Sequence, residues 1–192
     1  MKPILRIVAM ATMAVLALGV HQSMAENDLK DLVTAYLVPG TNDHQAVVEV
    51  WMSNVNPVIG VTLPFKFAAG DSLVMDSLVT STGRAKDFAV VKPVYKSDNQ
   101  TLLVNMLWAT DKNSKVPPIP PGEGLLAQIY LHTPGAFPMK DFRMAVVQLP
   151  PQNVLMFVTE SLNPVKPDFA LSKSAPPKGK SQSGEKEKSS SQ

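Results

Sequence analysis

The chain has 192 residues, with 18 Lys+Arg against 16 Asp+Glu for a formal charge of +2, and no cysteine. Without cysteine, disulfides, thiolate metal sites and cysteine nucleophiles are excluded, so a stable fold must rest on its core. A charge this close to balance, with no basic stretch interleaved with aromatics, makes no field that recruits nucleic acid.

Lys2 and Arg6 open the chain, and residues 7–20 are apolar apart from Thr12. Ser23-Met24-Ala25 then places small residues at −3 and −1 before Glu26. This is the anatomy of a secretory signal peptide cleaved after Ala25. As a helix at 1.5 Å per residue, the apolar run reaches only about 21 Å, short of a bilayer core of roughly 30 Å. The expected product is secreted, periplasmic or held at the cell surface, with no stable membrane insertion after cleavage. Cleavage takes Lys+Arg from 18 to 16, level with the 16 Asp+Glu.

At the other end, residues 172–192 contain five Lys, two Glu and no Val, Ile, Leu or aromatic residue. Such a stretch cannot bury enough apolar surface to offset the entropy of ordering, and a disordered Lys/Ser-rich tail is expected. Residues 26–171 remain as one domain, long enough to bury roughly 68–70% of its unfolded surface.

Within that domain the hydrophobic period is two. In chain order, strands are expected over residues 33–38, 45–53, 59–67, 73–81, 88–94, 101–109, 125–132, 143–149, 154–159 and 165–171. Residues 28–33 offer one helical turn as an alternative start. The clearest alternations are Ile59, Val61, Leu63, Phe65, Phe67; then Leu102, Val104, Met106, Trp108; then Leu125, Ala127, Ile129, Leu131. Each series marks one buried strand face. Pro64 inside the third run suggests an edge or a bulge. Turn chemistry at Pro39-Gly40, Asn56-Pro57, Gly70-Asp71, Asp98-Asn99, residues 117–124 and Pro134-Gly135 separates the runs. About nine to ten short strands punctuated this way predict an all-β, antiparallel sandwich.

Sites of chemistry are sparse. After processing, only His44 and His132 remain, without ligand spacing. Asp43, Asp71, Asp76, Asp87, Asp98 and Asp111 are expected mostly at turns, bonding their own backbone. No nucleophile elbow, P-loop or dinucleotide fingerprint is present. No enzyme and no cofactor are expected; a structural calcium ion stays open, because convergence of oxygens is not visible in a sequence.

Three stretches share an order: Val48-Glu49-Val50-Trp51-Met52-Ser53-Asn54 with Ile59-Gly60-Val61-Thr62-Leu63-Pro64-Phe65, then Pro118-Ile119-Pro120-Pro121-Gly122-Glu123-Gly124-Leu125, then Leu149-Pro150-Pro151-Gln152-Asn153-Val154. Together they resemble cohesin-like domains, which share a nine-stranded jelly-roll sandwich with a superfamily of carbohydrate-binding modules. In such domains a strand ending in Asn leads into G-x-x-L-P and a Gly-Arg bend, and Ser81-Thr82-Gly83-Arg84-Ala85 sits where that bend belongs. The resemblance covers about residues 31–171. It implies recognition of an extracellular or periplasmic protein, or of a polysaccharide, and not catalysis. A structural role at the cell surface is the third option. The chain departs from cellulosomal assemblies in lacking a D-x-[DN]-x-[DN]-G calcium loop.

In cohesins the third and sixth strands lie in one sheet, and the partner docks on its outer face. The resemblance therefore makes Thr62, Pro64, Lys66, Leu103, Asn105 and Leu107 the candidate recognition face. The same row is equally open to being covered within the domain by a loop near residues 116–122. Trp108, in phase with Leu102, Val104 and Met106, is expected in the core. Trp51 shares a face with Val47 and Glu49, and Tyr130 shares one with Gln128 and His132. These two aromatics are candidates for exposure, where a ring can stack on a sugar.

Overall fold

The computed structural model describes residues 29–70, 72–109, 116–172 and 174. The expected signal peptide, Asp71, Asp111 and nearly all of the tail lie outside these residues. Eleven strands and no helix occur among them. They are β1 (Leu32–Pro39), β2 (Gln45–Asn54), β3 (Val58–Ala68), β4 (Val74–Val79), β5 (Val90–Lys96), β6 (Thr101–Leu107), β7 (Gly122–His132), β8 (Arg143–Val146), β9 (Met156–Thr159), β10 (Pro164–Val165) and β11 (Asp168–Ser172). One sheet runs β11-β1-β2-β7-β4; the other runs β10-β9-β3-β6-β5, with β8 also on β3. Of the alternative helical turn over residues 28–33, residues 29–31 are not helical and Leu32 and Val33 are already in β1, while residue 28 lies outside the described residues.

Alternation builds the core as expected. Along β2, Ala46, Val48, Val50, Met52 and Asn54 are buried while every second residue is half-buried. The other sheet answers with Val61, Leu63, Phe65 and Phe67 from β3 and Leu102, Val104 and Met106 from β6. Rings close one end of this core. Phe142 lies 6.0 Å from Phe67 and 5.7 Å from Phe137, centroid to centroid. Tyr95 packs beside Phe67 and donates its hydroxyl to the Leu73 carbonyl at 2.8 Å.

Besides a bulge on β4, two bulges shift the phase of the clearest alternations. On β7 the register slips between Val50 and Trp51, so Leu126 is the extra residue. Leu126 and Ala127 are both buried, and Leu125 turns outward opposite Trp51. On β3 the slip falls between Val58 and Gly60, so Val58 is buried and Ile59 only half-buried. A bulge opposes two residues to one, which a period-two pattern does not register.

The remaining differences have local causes. β1 and β11 pair in parallel, from Leu32 with Asp168 to Tyr36 with Ser172. Parallel neighbours need a long crossover, and here that crossover is the whole intervening domain. The expected 165–171 strand divides at Lys166-Pro167 into β10 and β11, one pairing in each sheet. Pro64 is neither at an edge nor bulged, since β3 has partners on both sides. Its carbonyl accepts the Val147 N–H at 3.1 Å, in the gap where β9 pairing ends at Thr62 and β8 pairing starts at Phe65. Within an antiparallel strand a residue's nitrogen faces the same side as its carbonyl, so the missing N–H falls in that gap and breaks no ladder.

Trp108 is half-buried, not core. β6 ends at Leu107, and Trp108 continues only through its backbone, donating to the Ile59 carbonyl and accepting from Ala89 N–H. Asp76 lies at a β4 bulge, not a turn.

Candidate functional site

The six candidate face residues come together. Thr62 stands opposite Asn105 and Pro64 opposite Leu103, while Gly60 faces Leu107 and Lys66 faces Thr101. On the far side of β6, Val90, Lys92 and Val94 face Leu107, Asn105 and Leu103. Partners in register share one side of a sheet, so these residues form one outward surface. Leu107 is 48% exposed and Val94 41%. Lys66 is exposed, Thr62, Leu103 and Asn105 are half-buried, and Pro64 is buried. The Thr62 hydroxyl donates to Asn105 Oδ1 at 3.1 Å, which ties the polar middle of the row across the strands. At Gly60 the missing side chain leaves a dip: a Cβ would meet Val158 at 3.4 Å and Leu107 at 3.5 Å. Met156 and Val158 of β9, opposite Thr62 and Gly60, extend the surface. The segment at residues 116–122 meets β3 at its start instead, through the Val58–Ile119 bridge.

Sequence reasoning missed Val94, Gly60, Met156 and Val158. Val94 was available as the alternate of Lys92 and Lys96 on one strand face. The contribution of β9 was not, because which strand flanks β3 is a matter of topology.

The outer face of the other sheet carries the two candidate aromatics. Trp51 is half-buried and Tyr130 is 36% exposed. The Trp51 ring meets Tyr36 edge-on, with centroids 6.1 Å apart at 77°. Its indole N–H donates to Glu49 Oε2 at 3.2 Å, while the Gln128 amide donates to Glu49 Oε1 at 3.1 Å. The Tyr130 hydroxyl reaches Gln128 at 3.4 Å. Burial, and then the nearby Glu123 charge, raise the Tyr36 phenol above its ordinary pKa. Farther along, His132 Nδ1 lies 2.6 Å from Asp76, and His44 lies 3.3 Å from Asp43. Each histidine thus has its own carboxylate. Among the described residues no three His, Cys, Asp or Glu converge to hold a metal ion.

A clamp fixes the end of the sandwich. In the bend after β4, the Arg84 guanidinium donates to Asn54 Oδ1 and the Gly122 carbonyl, each at 2.7 Å, and to the Pro120 carbonyl. Asn54 is fully buried and donates its amide to the Asn56 and Pro120 carbonyls. Burial lowers the Arg84 pKa, and Glu123 opposes that shift. Gly83 precedes it because a Cβ there would stand 2.4 Å from the Leu126 carbonyl oxygen. The bend, the Asn that ends β2 and the loop before β7 therefore form one hydrogen-bonded unit. It ties the Asn54 side chain to loop and strand backbone.

No protein-family model and no curated protein matches the sequence. Solved structures do match, all at low identity. The sixth cohesin of scaffoldin B from Acetivibrio cellulolyticus, solved with a Cel5 dockerin, superposes with a TM-score of 0.56 at 15% identity, covering 76% of this chain and 99% of that one. The chain has the cohesin fold. A type I cohesin–dockerin complex from Clostridium thermocellum gives 0.51 at 11% identity, covering 76% of this chain and 90% of that one. A type II cohesin domain from the A. cellulolyticus cellulosome gives 0.50 at 11%, covering 75% and 92%. Each of these matches covers about three quarters of the chain.

Proposed function

We propose that this chain is an exported, non-catalytic recognition module that docks a protein partner on the outer face of β3, β5, β6 and β9. The observation that carries this is the open apolar surface at Leu107, Val94 and Leu103, held flat by paired strands around the Thr62–Asn105 bond. An apolar centre within a polar rim is how protein interfaces are built. Two of the cohesins named above were solved in complexes with dockerins, which fits a docking role for the fold. In the proposed layout, residues 1–25 are removed on export, 26–171 dock, and 172–192 form a flexible tail.

The opposite sheet suits a polysaccharide less well. Its rings meet edge-on and its amide and carboxylate groups bond to one another, so no open row of ring faces is offered.

The double substitution Leu103→Lys with Leu107→Lys tests the docking face. Expected is a variant that keeps its β-sheet circular dichroism and cooperative melting but no longer retains proteins from the producing organism's secretome that the wild type retains. Charges placed in an interface centre should weaken binding by about tenfold or more. Unfolding of the variant would show that the row is structural, and unchanged retention would move docking elsewhere.

A further inference from the structure

Charge is sorted between the two sheets. Within the described strands, every Lys and Arg lies in the β3-containing sheet: Lys66, Lys92, Lys96 and Arg143. Every Asp and Glu lies in the other: Glu49, Asp76, Glu123 and Asp168. This happens in a domain whose residues 26–171 carry a net charge of −3. The four basic residues are exposed and frame the apolar surface described above. Lys96 and Lys66 flank Thr101 from either side, and Lys92 faces Asn105. Two strand spacings put Lys66 and Lys96 about 10 Å apart, close to the screening length at physiological salt. Among the described residues neither of these lysines, nor Lys92, has a carboxylate partner; the ion pairs found are those of His44 and His132.

The acidic sheet is differently placed. Glu49 is held by Trp51 and Gln128, and Asp76 by His132. Its central charges are engaged within the chain, so it is a poor complement for the basic sheet of a second copy. The tail, with five Lys and two Glu, has the wrong sign to cover the lysines.

We infer that the occupant of the docking face is an acidic protein surface, presenting Asp or Glu around apolar side chains. The partner's charge is inferred on top of the docking face proposed above. Unpaired like charges around an apolar centre raise the free energy of the unbound domain slightly and are relieved by carboxylates, which also speed encounter. A polyanion without apolar groups would gain the charge term and leave Leu103, Leu107 and Val94 in water.

The test uses 15N-labelled full-length mature protein and three probes. Two are synthetic helical peptides with the same leucine spacing, one with Glu and the other with Lys at all remaining positions; the third is polyglutamate. The Glu–Leu peptide is expected to shift the amides of β5 and β6, with affinity falling about tenfold between roughly 50 and 300 mM salt. The triple variant Lys66→Glu, Lys92→Glu, Lys96→Glu, altered only at exposed positions, should lose that binding and gain the Lys–Leu peptide. Equal binding of both peptides to wild type would keep the docking face and overturn the acidic partner. Polyglutamate binding as tightly as the Glu–Leu peptide would make this a general polyanion site and overturn the inference. Concentration-dependent self-association through β5 and β6 would put a second copy there and do the same. If neither peptide moves these strands, the acidic partner and the docking face both fall.

Discussion

Arg84 holds more of the molecule together than any other charged residue described. Its guanidinium satisfies the fully buried Asn54 side chain and carbonyls at Pro120 and Gly122, where the loop bridged to β3 at Ile119 runs into β7. Arg84→Ala takes the charged donor from the buried Asn54 Oδ1 and the Gly122 carbonyl, while the exposed Pro120 carbonyl keeps the Asn54 amide. Hydrogen bonds to charged groups are worth more than neutral ones, so the expected loss is about 2–4 kcal/mol in urea unfolding. A loss under about 1 kcal/mol would mean that water replaces the guanidinium. Trp108 runs the other way. Alternation with Leu102, Val104 and Met106 suggests a core residue, whose truncation to Ala costs roughly 3–5 kcal/mol. The ring is half-buried, past the end of β6. Trp108→Ala is therefore expected to cost about 1–2 kcal/mol, in proportion to the area it covers. A full core-sized loss would return the ring to the interior.

Among the elements, what alternation could show and what it could not divide cleanly. The runs around β2, β3, β6 and β7 are visible because one face of each is buried, and burial of one strand face is what period two records. The places where strict alternation fails are Leu126 and Ile59, where a single inserted residue flips the face without altering composition. Partner choice was hidden as well. Nothing in residues 165–171 announces that Pro167 splits them between sheets, or that the last piece runs parallel to β1. The candidate face was legible on β3 and β6 and incomplete on β5 and β9, for the same reason. The β1–β11 pairing carries a prediction of its own. β11 closes the edge of β1, and Phe169 packs on Phe65 with centroids 5.7 Å apart. A chain ending at residue 174 is expected to melt within about a degree or two of the mature protein, because a terminus without burial adds little. One ending at residue 166 loses the pairing and the Phe169 contact, and by calorimetry its midpoint should fall by about 10 °C or more. Equal melting of the two would show that β11 is dispensable.

Across the whole molecule, the first and last described strands, β1 and β11, are neighbours in one sheet. The proposed docking surface lies on the other sheet. This arrangement also bears on the first residues. Only residues 26–31 separate the expected cleavage point from β1, which begins at Leu32. Among the described residues no helix is long and apolar enough to cross a membrane. The exported protein is expected to begin at Glu26, read by intact-mass spectrometry of material recovered outside the cytoplasm. Replacing Ala25 by a bulky residue such as Leu should block processing, because the −1 position accepts only small side chains. Exported protein that still carries Met1 would overturn the cleavage site.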